Sequence, residues 1–243
     1  MFFNFRRKPP LSALIPQGYI DMHCHVLPGI DDGAKNLNES LGVLEGMKAL
    51  GFEGVIATPH TMGGVWPNTP QSIESSFNQV NTANNKAIHD LRYSSEYLID
   101  DDFVNLMEQG QLIPLKDDLI LIELSYFQPP PNLFEVLFEL TNKGYQPVLA
   151  HPERYRFYFD STKTFYKLKS VGCLFQLNLM SLVGHYGDDV AAMADKLLKL
   201  ELYDFSGSDI HGTRHFEIFN KPVTVKNHKG IPELLEKNQF FKL

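Results

Sequence analysis

The chain has 243 residues, 43% of them hydrophobic, with 22 Lys and Arg against 29 Asp and Glu, a formal charge of −7 and a pI near 5.7. That hydrophobic share is ordinary for a packed core and the length suits one large domain, while the negative balance offers no broad cationic surface and argues against a nucleic-acid partner. Two cysteines, Cys24 and Cys173, are too few for a disulfide framework and fit a reducing compartment.

The chain opens apolar at Phe2, Phe3 and Phe5 and turns basic at Arg6, Arg7 and Lys8, the reverse of a secretory signal. No stretch approaches the roughly 20 apolar residues that span a bilayer. The expectation is therefore a cytoplasmic protein with no transmembrane segment, its residues 1–18 an extension ahead of a single domain at 19–243. The Phe and basic cluster could touch a membrane surface, but packing on the domain or disorder accounts for it more simply.

From Tyr19 to Val26 the chain is largely apolar and reads as a strand, on which side chains two apart share a face, so His23 and His25 project together. Cys24 between them points away, as packing. Pro28-Gly29 ends the strand, and Asp31-Asp32 follow in one loop. Taken alone, this pattern also fits two partly buried histidines beside an acidic turn, and the rest of the chain must decide. Asn38 to Leu50 carries Leu41, Leu44 and Met47 at helical spacing, with Gly51 as its stop.

Gly54 to Thr58 is a short strand running into Pro59-His60, Thr61 to Pro70 a loop, and Gln71 to Leu91 a long polar helix. A segment from Arg92 ends at Glu96-Tyr97, and Asp100 to Gln109 reads as a short helix. Leu119 to Ile122 is a buried strand by its unbroken apolar run, ending in Glu123. A helix opens at Pro129-Pro130-Pro131 and runs to Lys143, ahead of a strand from Gln146 to Ala150 that ends in His151. Thr162 to Val171 is helical, Cys173 to Leu179 a strand holding Asn178, and Asp188 to Leu200 a helix. Tyr203 to Ser208 is a strand ending in Asp209-Ile210-His211, and Ile231 to Asn238 a closing helix.

Seven strands alternating with helices build a parallel sheet or barrel, whose strands end together on one face, where active sites lie. Six of the seven end on a His, Asp or Glu. His23, His25, Asp32, His60, Glu96, Glu123, His151, Asp209 and His211 would then converge. Five histidines and four carboxylates exceed the needs of one ion, so two or three divalent metals are expected. Three such ions would outweigh four carboxylates by two charges, a balance suited to a phosphate dianion.

At this point His23-Cys24-His25 with Pro28-Gly29-Ile30-Asp31-Asp32-Gly33, Thr58-Pro59-His60, Glu96, Ile122-Glu123, the run Ala150-His151-Pro152-Glu153-Arg154-Tyr155, and Ser208-Asp209-Ile210-His211 resemble the PHP (polymerase and histidinol phosphatase) superfamily. Within it they are most similar to the manganese-dependent tyrosine-protein phosphatases of bacterial capsular and exopolysaccharide biosynthesis, over residues from about 19 to 215. The resemblance implies an α/β fold, a distorted, TIM-like (β/α)7 barrel with three metals. It places His23, His25 and Asp209 on one ion, with Glu96 bridging to a second that also takes Glu123 and His151. Asp32, His60 and His211 would hold the third, Asp31 being the alternative to Asp32.

Arg154 and Arg214 match arginines that the family uses on phosphate, and a guanidinium fork fits two phosphate oxygens, with a surface salt bridge as the plain alternative. His89, His185, His215 and His228 lie off the strand ends and are expected in ordinary surface or core roles, His215 being left open by its neighbour Arg214. The implied function is a metal-dependent phosphomonoesterase acting on protein phosphotyrosine, with a bacterial tyrosine kinase as the partner. Mn is the preferred ion, with Fe or Zn admissible. Divalent ions lower the pKa of water from about 15.7 toward about 7, so no protein nucleophile is needed. Cys24 lacks the Arg-containing phosphate loop of cysteine phosphatases. The rival readings are a small-molecule phosphatase, such as a histidinol-phosphate phosphatase with the same superfamily site, and a non-catalytic metal-binding barrel.

Overall fold

The computed structural model describes residues 8–85 and 87–243. The Phe2, Phe3, Phe5, Arg6 and Arg7 cluster lies outside them. In chain order the elements are β1 (Tyr19–Cys24), α1 (Leu37–Ala49), β2 (Phe52–Ala57), β3 (His60–Thr61), α2 (Pro70–Ala83), β4 (Asp90–Tyr93), β5 (Glu96–Leu98) and α3 (Asp101–Glu108). There follow β6 (Leu119–Glu123), α4 (Leu133–Asn142), β7 (Gln146–Ala150), α5 (Lys163–Ser170), β8 (Leu174–Asn178), α6 (Asp188–Lys199), β9 (Phe205–Gly207), α7 (Phe216–Phe219) and α8 (Ile231–Glu236).

The strands form two sheets, β1-β2-β4 and β3-β5-β6-β7-β8-β9, and every pairing is parallel. The two sheets are one curled surface. Ser94 N–H donates to Ala57 O at 2.8 Å and Glu96 N–H to Pro59 O at 3.0 Å where the first passes into the second. At the far edges Asp209 N–H donates to His23 O at 2.8 Å and His25 N–H to Ile210 O at 2.9 Å, bringing the end of β9 back to β1.

Two expectations need correction. The anticipated seven strands are nine segments among the described residues, because β2 and β3 are separated at Thr58-Pro59 and β4 and β5 at Ser94-Ser95. Proline has no N–H to give the ladder, and the serine hydroxyls turn to carbonyls instead, Ser94 Oγ to Ile113 O at 2.6 Å and Ser95 Oγ to Pro59 O at 2.8 Å. The anticipated helix from Gln71 to Leu91 stops at Ala83, and Asp90 to Tyr93 is a strand. Asn84 accounts for the stop: its amide donates to Ile88 O at 2.7 Å and its oxygen accepts from Ile88 N–H at 3.2 Å, a local turn that competes with the helix.

Two apolar layers hold the fold. Val55, Ala57, Ile120, Ile122, Leu149 and Phe175 face the helices, whereas Ile20, Met22, Ile56, Leu119, Leu121 and Val148 fill the space inside the curl. Each such fully buried side chain contributes about 1.5–3 kcal/mol. Phe241, from the chain's end, joins the inner layer. Residues 8–18 lie against the domain: Leu11 is fully buried, its N–H donates to Lys221 O at 3.0 Å, and Val223 N–H donates to Pro9 O at 3.0 Å. Among the described residues no helix is long and apolar enough to cross a membrane.

Candidate metal centre

Strand alternation sets which side chains enter the curl. On β6 the inward set Leu119 and Leu121 continues to Glu123. On β1 simple alternation would fail, because Ile20 and Met22 face inward and would leave His23 facing the helices. The pairing of β1 with β2 shifts register between Asp21 and Cys24, a bulge that changes face, so Cys24 packs toward the helices and His23 and His25 turn inward. His151 and Asp209, just past β7 and β9, take left-handed backbones with φ of 37° and 54°. Such conformations cost about 1–3 kcal/mol each and gather at functional sites. Two glycines admit the histidines: a Cβ at Gly33 would lie 2.1 Å from His25 O, and one at Gly207 2.7 Å from His23 Cβ.

The nine predicted residues meet in one cluster. His23 Nε2 lies 3.2 Å from His25 Nε2, 3.1 Å from Glu96 Oε2 and 3.4 Å from Asp209 Oδ1, while His25 Nε2 lies 3.4 Å from Glu96 Oε2 and 3.3 Å from Asp209 Oδ1. Donors about 2.0–2.1 Å from a common ion at tetrahedral angles stand roughly 3.3–3.4 Å apart. These four donors have the spacing of a coordination shell. His60, Glu96 and Glu123 form a second group and His25, Asp32, His60 and His211 a third. Glu96 is thus shared between the first two. His151 differs from expectation, reaching the other oxygen of Glu96 at 2.9 Å, with His60 beside Glu123 in its place. The cause is register, since β3 pairs with β5 with His60 opposite Glu96.

Hydrogen bonds fix which nitrogen three of the five imidazoles present. His23 Nδ1 is 3.0 Å from Gln176 Oε1, His25 Nδ1 is 2.8 Å from Asp31 Oδ2, and His211 Nδ1 is 2.9 Å from Asp209 O. An N–H on each Nδ1 donates to that oxygen and leaves Nε2 bare toward the cluster, as metal-binding histidines are held. Asp31 is consumed by this support, since it also accepts from Gly33 N–H at 2.9 Å and His60 N–H at 3.2 Å. Half-exposed Asp32 stands 3.3 Å from His211 Nε2 and is left free. Asp209 Oδ2 accepts from Asn178 at 2.7 Å and Arg154 at 2.9 Å, so its Oδ1 is the oxygen turned to the histidines.

A test of fit lies in the unpaired atoms. Among the described residues, the buried side-chain polar atoms without a hydrogen-bond partner are His60 Nδ1, Glu96 Oε2, Glu123 Oε1 and His151 Nδ1, all in this cluster. His60 Nδ1 is 2.8 Å from Glu123 Oε1 without the alignment of a hydrogen bond, so the atoms converge on a point rather than on each other. Leaving them so would cost about 1–3 kcal/mol apiece; a divalent cation would satisfy the three on His60, Glu96 and Glu123, which stand as one donor group. Burial would push His23 down, but Glu96 and Asp209 outweigh it and raise it to about 9. Burial would raise Glu96, yet His23 and His60 hold its carboxyl well below the usual range. His151 is driven down to about 4, by burial and then by Arg154, and stays a neutral imidazole.

Over the cluster opens a cavity of about 570 Å³, lined by Trp66, Tyr126, Arg154, Tyr186, His185 and His215 among others. Arg154 packs between Tyr126 and Tyr186, its guanidinium carbon 4.7 Å and 4.1 Å from the two ring centres. Arg214 is exposed and is not among the residues lining the cavity. His185 and His215, expected in ordinary roles, are on its wall, whereas His89 and His228 are not. Gln176, Asn178 and the aromatic wall carried no sequence signal separating them from other polar or core residues. A cavity of about 630 Å³ at Lys199, Tyr203 and Lys237 contains none of the nine.

The family described as capsular polysaccharide synthesis, CpsB/CapC, matches residues 19–225. The tyrosine-protein phosphatase YwqE of Bacillus subtilis (strain 168) is 32% identical over 227 residues, which is 90% of this chain and 89% of YwqE. The putative tyrosine-protein phosphatase CapC of Staphylococcus aureus is 26% identical, over 85% of this chain and 80% of CapC. A chain from crystal structures of YwqE from Bacillus subtilis and CpsB from Streptococcus pneumoniae, described as unique metal-dependent tyrosine phosphatases, has a TM-score of 0.79 at 28% identity, covering 91% of this chain and 93% of that one.

Proposed function

This chain belongs to the CpsB/CapC family of capsular polysaccharide synthesis, and from that premise we propose that it is a metal-dependent tyrosine-protein phosphatase whose active site is the cluster beneath the cavity. The observation that carries this reading is the set of Nε2 atoms and carboxylates at coordination-shell spacing, with His23, His25 and His211 tied down at Nδ1. Two or three divalent ions, Mn first among them, are held by His23, His25, Asp32, His60, Glu96, Glu123, His151, Asp209 and His211. When bound, they supply hydroxide at neutral pH and offset phosphate charge.

The chain's own residues do the rest. Gln176, Asp31 and the carbonyl of Asp209 keep the three imidazoles in the ligating tautomer. Arg154 gives one N–H to Asp209 and keeps further donors for phosphate oxygens, held in place by the two tyrosines. No thiol takes part: Cys24 is fully buried, and burial, with Asp21 and Asp31 nearby, pushes its pKa well up. In this reading β2–β3 and β4–β5 each count as one position of a (β/α)7 barrel. A cytoplasmic bacterial tyrosine kinase carries the substrate phosphotyrosines, and the buried free thiols Cys24 and Cys173 suit that compartment.

The test is substrate choice by the Mn-loaded enzyme. A phenolate leaves with a pKa near 10 and needs little general-acid help, whereas an alkoxide is far more basic. A phosphotyrosine peptide should therefore turn over with the higher kcat/KM. Faster hydrolysis of histidinol phosphate would replace this reading with the small-molecule one.

A further inference from the structure

On the reading of the cluster as a phosphatase site, we propose that Trp66 is the wall that receives the substrate's aromatic ring and so gives the site its preference for aryl over alkyl phosphates. One face of its indole is taken by His60, with ring centres 4.9 Å apart and planes 13° from parallel. The side chain is nevertheless only partly buried, and it lines the cavity together with Met62 and Val65. A tryptophan serving only as core would be covered on both faces.

The segment that presents it is rigid. Met62 and Trp66 exchange backbone hydrogen bonds of 2.9 Å in each direction, closing a tight antiparallel turn. Gly63 N–H donates to Asp100 Oδ2 at 2.9 Å, and Asn68 donates to both His60 O and Ile30 O at 2.8 Å. The indole is thereby fixed before any ligand arrives, so stacking on it costs little ordering.

Its position relative to the metal centre makes it a ring site rather than a lid. His60 and His151 approach different oxygens of Glu96, Oε2 and Oε1. Trp66 covers the first imidazole and Tyr126 the second, Tyr126 lying 5.9 Å from His151 between ring centres. Aromatic surfaces therefore flank the cluster on two sides, with Arg154 against Tyr126. A phosphate at the metals would carry its ester group up between these walls. Val65, 57% exposed, extends the apolar surface outward from Trp66 toward the peptide that bears the ring. A planar aryl group stacks there; a flexible alkyl chain gains far less.

Trp66 is the only tryptophan in the chain, so its emission reports on this wall alone. The experiment titrates the Mn-loaded full chain with phenylphosphonate and with methylphosphonate, neither of which is hydrolysed, following tryptophan fluorescence and, separately, binding heat. Both should bind, and only the phenyl compound should change the emission. In Trp66→Leu the affinity preference for phenyl over methyl should fall roughly 10-fold, and Trp66→Phe should keep most of it. Bound phenylphosphonate that leaves the emission unchanged, or a Trp66→Leu protein that binds Mn and keeps the full preference, would overturn the assignment. Should Trp66→Leu fail to hold Mn, the wild-type emission and the Trp66→Phe preference decide. If neither phosphonate bound the Mn-loaded wild type, the phosphatase reading itself would fall, and the ring site with it.

Discussion

The space inside the curled sheet has two ends built by the same strands to opposite purposes. At one end Ile20, Met22, Ile56, Leu119, Leu121 and Val148 pack with Phe241 into an apolar layer. At the other, His23, Glu123 and His151 extend those same strands, and the buried side-chain atoms that lack partners among the described residues gather there. On β6 only Ile122 separates Leu121 from Glu123. The apolar end can be held by nonspecific burial, whereas the polar end requires each donor to be aimed. Stability and chemistry are thus separable along a single strand, and substitutions on either side of that division should behave differently.

The largest effect is expected from Glu96→Gln, which removes the anion shared by two donor groups while keeping its shape. Its loss of activity and of bound metal should exceed the roughly 100-fold upper range for supporting residues, read by phosphotyrosine hydrolysis and metal analysis. Near-wild-type turnover would mean the bridge lies elsewhere. Leu121→Ala tests the opposite end: it should lower stability by about 2–5 kcal/mol in urea unfolding while metal content per folded chain is unchanged. A drop in metal content would show the two ends to be coupled.

Gln176→Ala should fall between them, weakening metal affinity about 10–100-fold by freeing the His23 ring, with stability less affected than in Leu121→Ala. A smaller effect comes from protons. With its pKa raised to about 9 in the metal-free protein, by carboxylates that outweigh burial, His23 is protonated at neutral pH. Metal must displace that proton, together with those of His25 and His60, whose pKa values neighbouring carboxylates also raise against burial, so affinity should rise by at least about 10-fold per pH unit above 7. Metal titrations at several pH values check this, and affinity independent of pH below 9 would contradict it.

Much of the polar end could be read before the fold was seen, because His60, Glu123, His151 and Asp209 each follow an apolar run that reads as a strand. Their arrival at one place required only that the strands be parallel. What was illegible depends on contacts distant in sequence. The change of face in β1 comes from a register shift against β2, and no residue in Tyr19 to Val26 announces it. Asp31 and Asp32 are indistinguishable as letters; only the position of the His25 ring separates the support from the free carboxylate. Gln176 and Trp66 looked like ordinary polar and aromatic positions until His23 and His60 were placed against them. The family resemblance assigns Arg214 to phosphate, but the turn at Thr213–His215 leaves it exposed and puts His215 on the cavity wall. The stop after Ala83 rests on how one asparagine folds back on Ile88.

The central claim, that the polar end is a multi-metal centre on which phosphatase activity depends, is tested most directly by stripping the protein with chelator and adding Mn back stepwise. Bound metal and hydrolysis of a phosphotyrosine peptide are measured on the same samples. Activity should vanish on stripping and return only as the content passes from one ion per chain to two or three. Full activity in the stripped protein, or its complete recovery with one ion bound, would contradict the claim.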